Sequence, residues 1–254
     1  MEKAAKTRFG SRSLGGIPGL FGADARRTFL TPFFYILFAV ALIAPVLIAV
    51  MTSMNAGDGG ALITCAWDLL AGSSDSTSIT SMCNSGMMYF LVAILGAKSV
   101  SDDFSSGYAK NLFSTRPKKL GYAVSKTLCC SLAGALLLIA FFAGSAIGGL
   151  AAGLTFETAD ATGVQIFLCM LSRVFLVPLF AGIGIIMGCV GKRRLWLSVL
   201  LSLFVGMFLF MVVSIAAPLA ASAANIVMCL AGGLLFAAAL CVGDCLILDH
   251  TALA

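Results

Sequence analysis

The twenty residues FFYILFAVALIAPVLIAVMT, Phe33 to Thr52, contain no charged side chain. About 20 apolar residues in a helix are what crossing a hydrocarbon core requires. A soluble domain carries roughly 25% charged residues, whereas this chain of 254 carries 11% against 60% hydrophobic, with a mean hydropathy of +1.06. That much apolar surface cannot be hidden from water inside one fold, so the solvent is a bilayer.

Working outward, five more apolar runs follow: Asn84–Val100, Gly121–Leu150, Gly163–Val190, Leu195–Ala217 and Asn225–Leu248. The expectation is an all-α, polytopic membrane protein with six transmembrane helices over residues 33–254. Asn84–Val100 is the shortest and has room to extend. The third and fourth runs exceed what a bilayer needs, so they tilt or project.

Basic residues set the orientation. The N-terminal segment holds Lys3, Lys6, Arg8, Arg12, Arg26 and Arg27. The segment between spans two and three holds Lys110, Arg116, Lys118 and Lys119, flanked by Lys98 and Lys126, and Lys192, Arg193 and Arg194 join spans four and five. The three alternate connections, Ser53–Cys83, Ala151–Thr162 and Pro218–Ala224, have no Lys or Arg. The positive-inside rule then places both termini in the cytosol, in agreement with an even number of spans. The net charge of +5 is topological and does not indicate a nucleic-acid partner. The first run is too long and starts too late for a cleaved signal peptide.

Before the first span, residues 1–32 form a cytosolic N-terminus whose first sixteen residues read as disordered. Ile17, Leu20, Phe21, Phe29 and Leu30 share an apolar side, while Asp24, Arg26 and Arg27 lie elsewhere. The expectation is an interfacial helix. The external loop 53–83 includes Cys65 and Cys83, for which a disulfide and two free thiols are both compatible with an oxidising exterior. The other seven cysteines fall in spans, where Cys acts as a small apolar side chain. The rows Gly144–Gly148–Ala152 and Gly184–Gly188 mark helix faces built for close approach.

Catalytic chemistry is hard to place in this sequence. The spans hold few ionisable residues, chiefly Arg173 and Asp244, and the one histidine, His250, sits near the C-terminus. No paired acids, nucleophile with base, or metal-ligand cluster is evident, so neither catalytic nor metal residues are assigned. GCVGKRR, Gly188 to Arg194, lacks P-loop spacing, having Ile186 and Arg193 where Gly and Ser or Thr would stand. Ion-coupled carriers usually bury more carboxylates along their path, and Asp244 lies close enough to the cytosolic end to be solvated. Arg173 is a candidate for the substrate path, with a structural or snorkelling role the alternative.

One polar patch stands out, SDDFSSGYAKNLFSTRPKKL, Ser101 to Leu120. Asp102 or Asp103 can N-cap a helix through Phe104–Phe113, which would stack Phe104, Tyr108 and Leu112 on one face. An aromatic face with no partner in its own chain reads as a docking surface.

The run Asp103-Phe104-Ser105-Ser106-Gly107, then Lys110-Asn111-Leu112, Arg116 and Ser125-Lys126, resembles the cytoplasmic loop of type-2 ATP-binding-cassette (ABC) permeases. The six spans, the basic interfacial segment and the chain length are similar to that family. The resemblance implies that loop 101–120 contains a coupling helix seated in a groove of a separate ATPase subunit. Asp103, Phe104, Gly107, Tyr108, Lys110, Asn111, Leu112 and Arg116 would be its docking residues. It further implies a second permease subunit, as homo- or heterodimer, contact with membrane lipids, and ATP and Mg held by the ATPase with no cofactor in this chain. The reading that follows is the permease half of an ATP-driven exporter in the cell membrane, moving a hydrophobic or amphipathic cargo such as an antimicrobial peptide or drug. The competing reading is a secondary carrier or a non-ATPase immunity or assembly protein.

Overall fold

The computed structural model describes residues 17–54, 79–115, 119–153, 163–191, 194–216 and 223–251. Expectations about residues 1–16, Cys65 and its pairing with Cys83, Arg116, Lys118, Lys192 and Arg193 fall outside the described residues. All the regular structure described is helical: α1 Ile17–Phe29, α2 Pro32–Met54, α3 Ile79–Ser105, α4 Tyr108–Thr115, α5 Lys119–Ala151, α6 Gly163–Gly191, α7 Leu195–Ala216 and α8 Ala223–Thr251.

Four helices contain stretches long and apolar enough to cross a membrane: Pro32–Met51, Lys119–Ala151, Met170–Gly191 and Val227–Leu248. A shorter apolar stretch, Leu195–Leu209, lies in α7. Lacking water, a bilayer leaves the backbone of each span to satisfy its own hydrogen bonds, which is why apolar runs of this length become helices. Exposed Tyr35, Ile36, Ile43 and Leu47 on α2, and Leu234, Leu235 and Phe236 on α8, are then the residues of a lipid-facing surface. The α5 helix, at 33 residues, is about 50 Å long and outreaches the hydrocarbon core.

At the centre, α6 packs against α3, α5, α7 and α8, while α5 also receives α1 and α2. Val92, Leu137, Val177 and Phe180 lie in the core between α3, α5 and α6, with Tyr89 stacked on Phe180 at 4.5 Å. The small-residue rows lie at these seams. A Cβ on Gly148 would come within 2.8 Å of the Val46 Cα, and one on Gly188 within 2.8 Å of the Val100 Cβ. At Gly184 it would collide with the Ala93 carbonyl oxygen, and at Gly144 with that of Leu42. These rows set the α5–α2 and α6–α3 spacings, as small residues do where lipid supplies no hydrophobic drive for helix association.

Two expectations about local structure are corrected. The second apolar run continues well beyond Val100, to Ser105, so Asp103 occupies the last turn of α3 and caps nothing. The helix expected from Phe104 starts at Tyr108, after a turn in which Gly107 adopts φ of 74°. That left-handed backbone is natural for glycine and lets the chain fold back over the end of the bundle. The α1 helix, expected to lie on the membrane by its apolar side with Asp24 elsewhere, turns Asp24 and Thr28 to the bundle, and Asp24 is fully buried.

Candidate functional site

The described lysines and arginines other than Arg173 gather at one end of the bundle, together with α4. Fully buried there is Lys126, on α5, 1% exposed. Its ammonium lies 2.8 Å from the Asp103 carboxylate of α3 and 3.3 Å from that of Asp24 on α1, and donates to the Ser99 hydroxyl at 3.0 Å. Asp103 also accepts from the Tyr122 hydroxyl at 2.8 Å and from Arg27 at 2.9 Å, while Ser125 donates to Asp24 at 2.5 Å. Two buried acids therefore share one buried base, with Arg27 closing the charge balance from the rim. Buried ions persist only when paired and hydrogen-bonded in this way.

Arg27 links this cluster to α4. Its guanidinium carbon sits 3.9 Å from the centre of the Tyr108 ring, a cation–π contact at the start of that helix. Burial, then the carboxylates of Asp24 and Asp103, push the Tyr108 phenol above its ordinary range, while Arg27 and Lys126 oppose the shift. On the inner face of α4, Ala109 is buried, and Leu112 and Phe113 pack on the core, Phe113 edge-on to Tyr122 at 5.4 Å. Lys110, Asn111 and Ser114 form its exposed outer face. Lys119 ties the same end to α8 by donating to the Leu248 carbonyl at 2.9 Å.

The structure thus redistributes the residues named from sequence. Phe104 and Leu112 are half-buried against the bundle and Tyr108 is covered by Arg27, so the expected unpartnered aromatic face has partners in its own chain. Asp103 belongs to the buried ion cluster, and Gly107 forms the turn that aims α4. Lys110 and Asn111 project outward. Asp24 and Lys126 were the residues sequence reasoning missed. Their signal was present in Ser125-Lys126 and in the i, i+4 placing of Asp24 and Thr28, but a basic residue near a span end reads first as a topology marker.

Arg173 lies within α6, 2% exposed, beside a cavity of about 10 Å³ lined also by Met88, Tyr89 and Phe141. That is room for about one water. Its backbone carbonyl accepts from the Tyr89 hydroxyl at 3.1 Å. Asp244 is fully buried, contrary to the solvated position expected, and neither carboxylate oxygen has a hydrogen-bond partner among the described residues. No group of three or more metal-ligating side chains occurs among the described residues.

A helical bundle with lipid-length apolar spans, a short helix at its charged end and internally compensated charges there defines a multi-pass membrane protein. A family model described as ABC-2 family transporter protein matches residues 31–211, more than half of the chain, and the chain belongs to that family. It is therefore the membrane permease component of an ABC transporter, and the family implies partnership with an ABC ATPase subunit. The match spans α2 to α6 and most of α7, and includes Asp103, α4 and Lys126. Asp24 and Arg27, on α1, lie just ahead of it. No curated protein and no solved structure matches the chain.

Proposed function

We propose that this chain is the permease subunit of an ATP-driven exporter, with six spans and both termini in the cytosol. The gathering of basic side chains at one end supports that orientation. Two such subunits, identical or related, would pair with two ATPases that hold ATP and Mg. The observation that carries the proposal is α4, a short helix at the charged end, with its inner face packed on the bundle and its outer face exposed. Such a helix transmits force because it cannot move alone. Displacing α4 drags Tyr108, Arg27 and Asp103, and through them α1, α3 and α5.

Within the docking set, Lys110 and Asn111 would touch the ATPase, joined by Arg116. Asp103, Phe104, Gly107, Tyr108 and Leu112 would hold the helix in place. The charge-poor interior favours a hydrophobic or amphipathic cargo, and Arg173 is the candidate for contact with it, since an intramembrane charge is seldom retained without a use.

The test is co-purification with the candidate ATPase in mild detergent. Asn111→Trp together with Lys110→Glu should cut recovery of the ATPase about tenfold or more, as expected when an interface centre is disrupted, with insertion unchanged. Normal ATPase recovery and transport in that variant would sink the docking role. Transport abolished by Asp244→Asn with normal insertion, in a protein that recovers no ATPase, would favour an ion-coupled carrier instead.

A further inference from the structure

A cavity of about 320 Å³ opens beside the ion cluster, between α1, the turn into α2, and α3. Its lining is mixed: Phe33, Phe34 and Leu95 are apolar, Arg26, Arg27, Lys98 and Lys126 are basic, the carboxylates of Asp102 and Asp103 are acidic, and the Lys98 ammonium lies 5.2 Å from the centre of the Phe33 ring. These bases are not equally committed. Lys126 is spent on Asp24, Asp103 and Ser99. Lys98 pairs with Asp102 at 2.7 Å and keeps its remaining donors, and Arg27 makes one bond to Asp103. Arg26 is exposed and forms no ion pair among the described residues. Even with Asp24 counted behind Lys126, positive charge is in excess. The cavity adjoins the start of α2, whose exposed Tyr35 and Ile36 continue the apolar surface outward.

We propose that this cavity binds one anionic phospholipid from the leaflet at the charged end of the bundle. Its phosphate would sit between Arg26 and Lys98, and an acyl chain would run along Phe33, Phe34 and Leu95. The argument is charge complementarity at a membrane boundary: a ligand must satisfy cationic donors and apolar side chains within the same cavity. Its polar group must also lie at interface depth. A soluble anion satisfies only the first condition, whereas basic pockets between membrane helices suit lipid headgroups. The volume falls at the small end of ordinary ligand sites, enough for a headgroup with the upper part of a chain and too little for a whole lipid. The proposal depends on membrane insertion and not on ATPase docking, so the two fail separately.

The experiment uses the full chain in nanodiscs of four parts phosphatidylcholine to one part phosphatidylglycerol, then exchange into mild detergent and counting of retained lipid by native mass spectrometry. The wild-type protein should retain one phosphatidylglycerol in preference to phosphatidylcholine. Arg26→Gln with Lys98→Gln should lower that retention about tenfold. Leu95→Trp, which fills the apolar part of the cavity and leaves every charge in place, should lower it as well. Arg194→Gln removes an exposed charge at the same end, away from the cavity, and should retain the lipid. Equal loss in Arg194→Gln would mean only a general attraction of anionic lipid to a basic surface. Displacement by soluble glycerol phosphate would identify a water-borne anion as the ligand. Either result, or no preferential retention by the wild type, overturns the proposal.

Discussion

Lys126 is the residue on which the charged end depends. Its neighbours Asp24 and Asp103 are both buried, so Lys126→Met would leave carboxylates in a poorly solvated site with Arg27, whose side chain is 44% exposed, as the remaining base paired there among the described residues. Breaking a buried pair from one side costs about 3–5 kcal/mol. Arg27→Gln removes a half-exposed partner and should cost nearer 1 kcal/mol. Thermal unfolding in detergent, followed by circular dichroism, should rank the two in that order, and equal costs would mean the cluster is solvated. Tyr108 adds no pH sensitivity near neutrality. Its raised phenol favours the protonated form in the folded state, so the stability it lends is intact below the ordinary phenol value of about 10 and is lost only as pH rises past the shifted one.

At the scale of elements, apolar length and small-residue spacing made most of the helices legible, because both are dictated by lipid. Phe33–Thr52 became α2 with little change, and the glycine rows lie in the seams they implied. The Gly184 contact with the Ala93 carbonyl oxygen leaves no space for a side chain between α6 and α3. Gly184→Leu should therefore destabilise by about 1–3 kcal/mol or more. Gly232→Leu, with nothing near its Cβ position, should be close to neutral. A thermal-shift comparison checks this, and equal shifts would show that α6 and α3 can separate at no cost. The inner face of α1 was not legible for a physical reason. Amphipathic helices are read by assuming that polar residues seek water, and here Asp24 and Thr28 seek Lys126 and Cys129 instead. No local pattern announces a partner so far along the chain. The start of α4 was misplaced because Gly107, inside the helix expected through Phe104–Phe113, is the left-handed turn that divides two helices.

For the whole molecule, the sequence conveyed the class and the charged end more clearly than the depth at which individual charges sit. Asp103 looked like a surface residue among serines, yet it is the point where α1, α3 and α5 meet. The same arrangement governs the order in which the protein can be made. Asp24 bonds to Ser125, 101 residues further on, and a ribosome adds that length in about 5–20 s at ordinary elongation rates. Both segments pass the same exit tunnel, so α1 emerges ahead of α5 by about that interval, and meanwhile its carboxylate has no counter-ion from α5. The N-terminal helix must therefore wait, loosely held at the membrane surface, until the helix bearing Lys126 is inserted. Ribosome-stalled chains ending before Tyr122 should leave α1 open to protease, and chains extended past Gly191, long enough for α5 to clear the ribosome, should protect it. Protection that arises without α5 would show that α1 docks by its apolar residues alone. In that case the buried ions would be a late lock on a helix already in place.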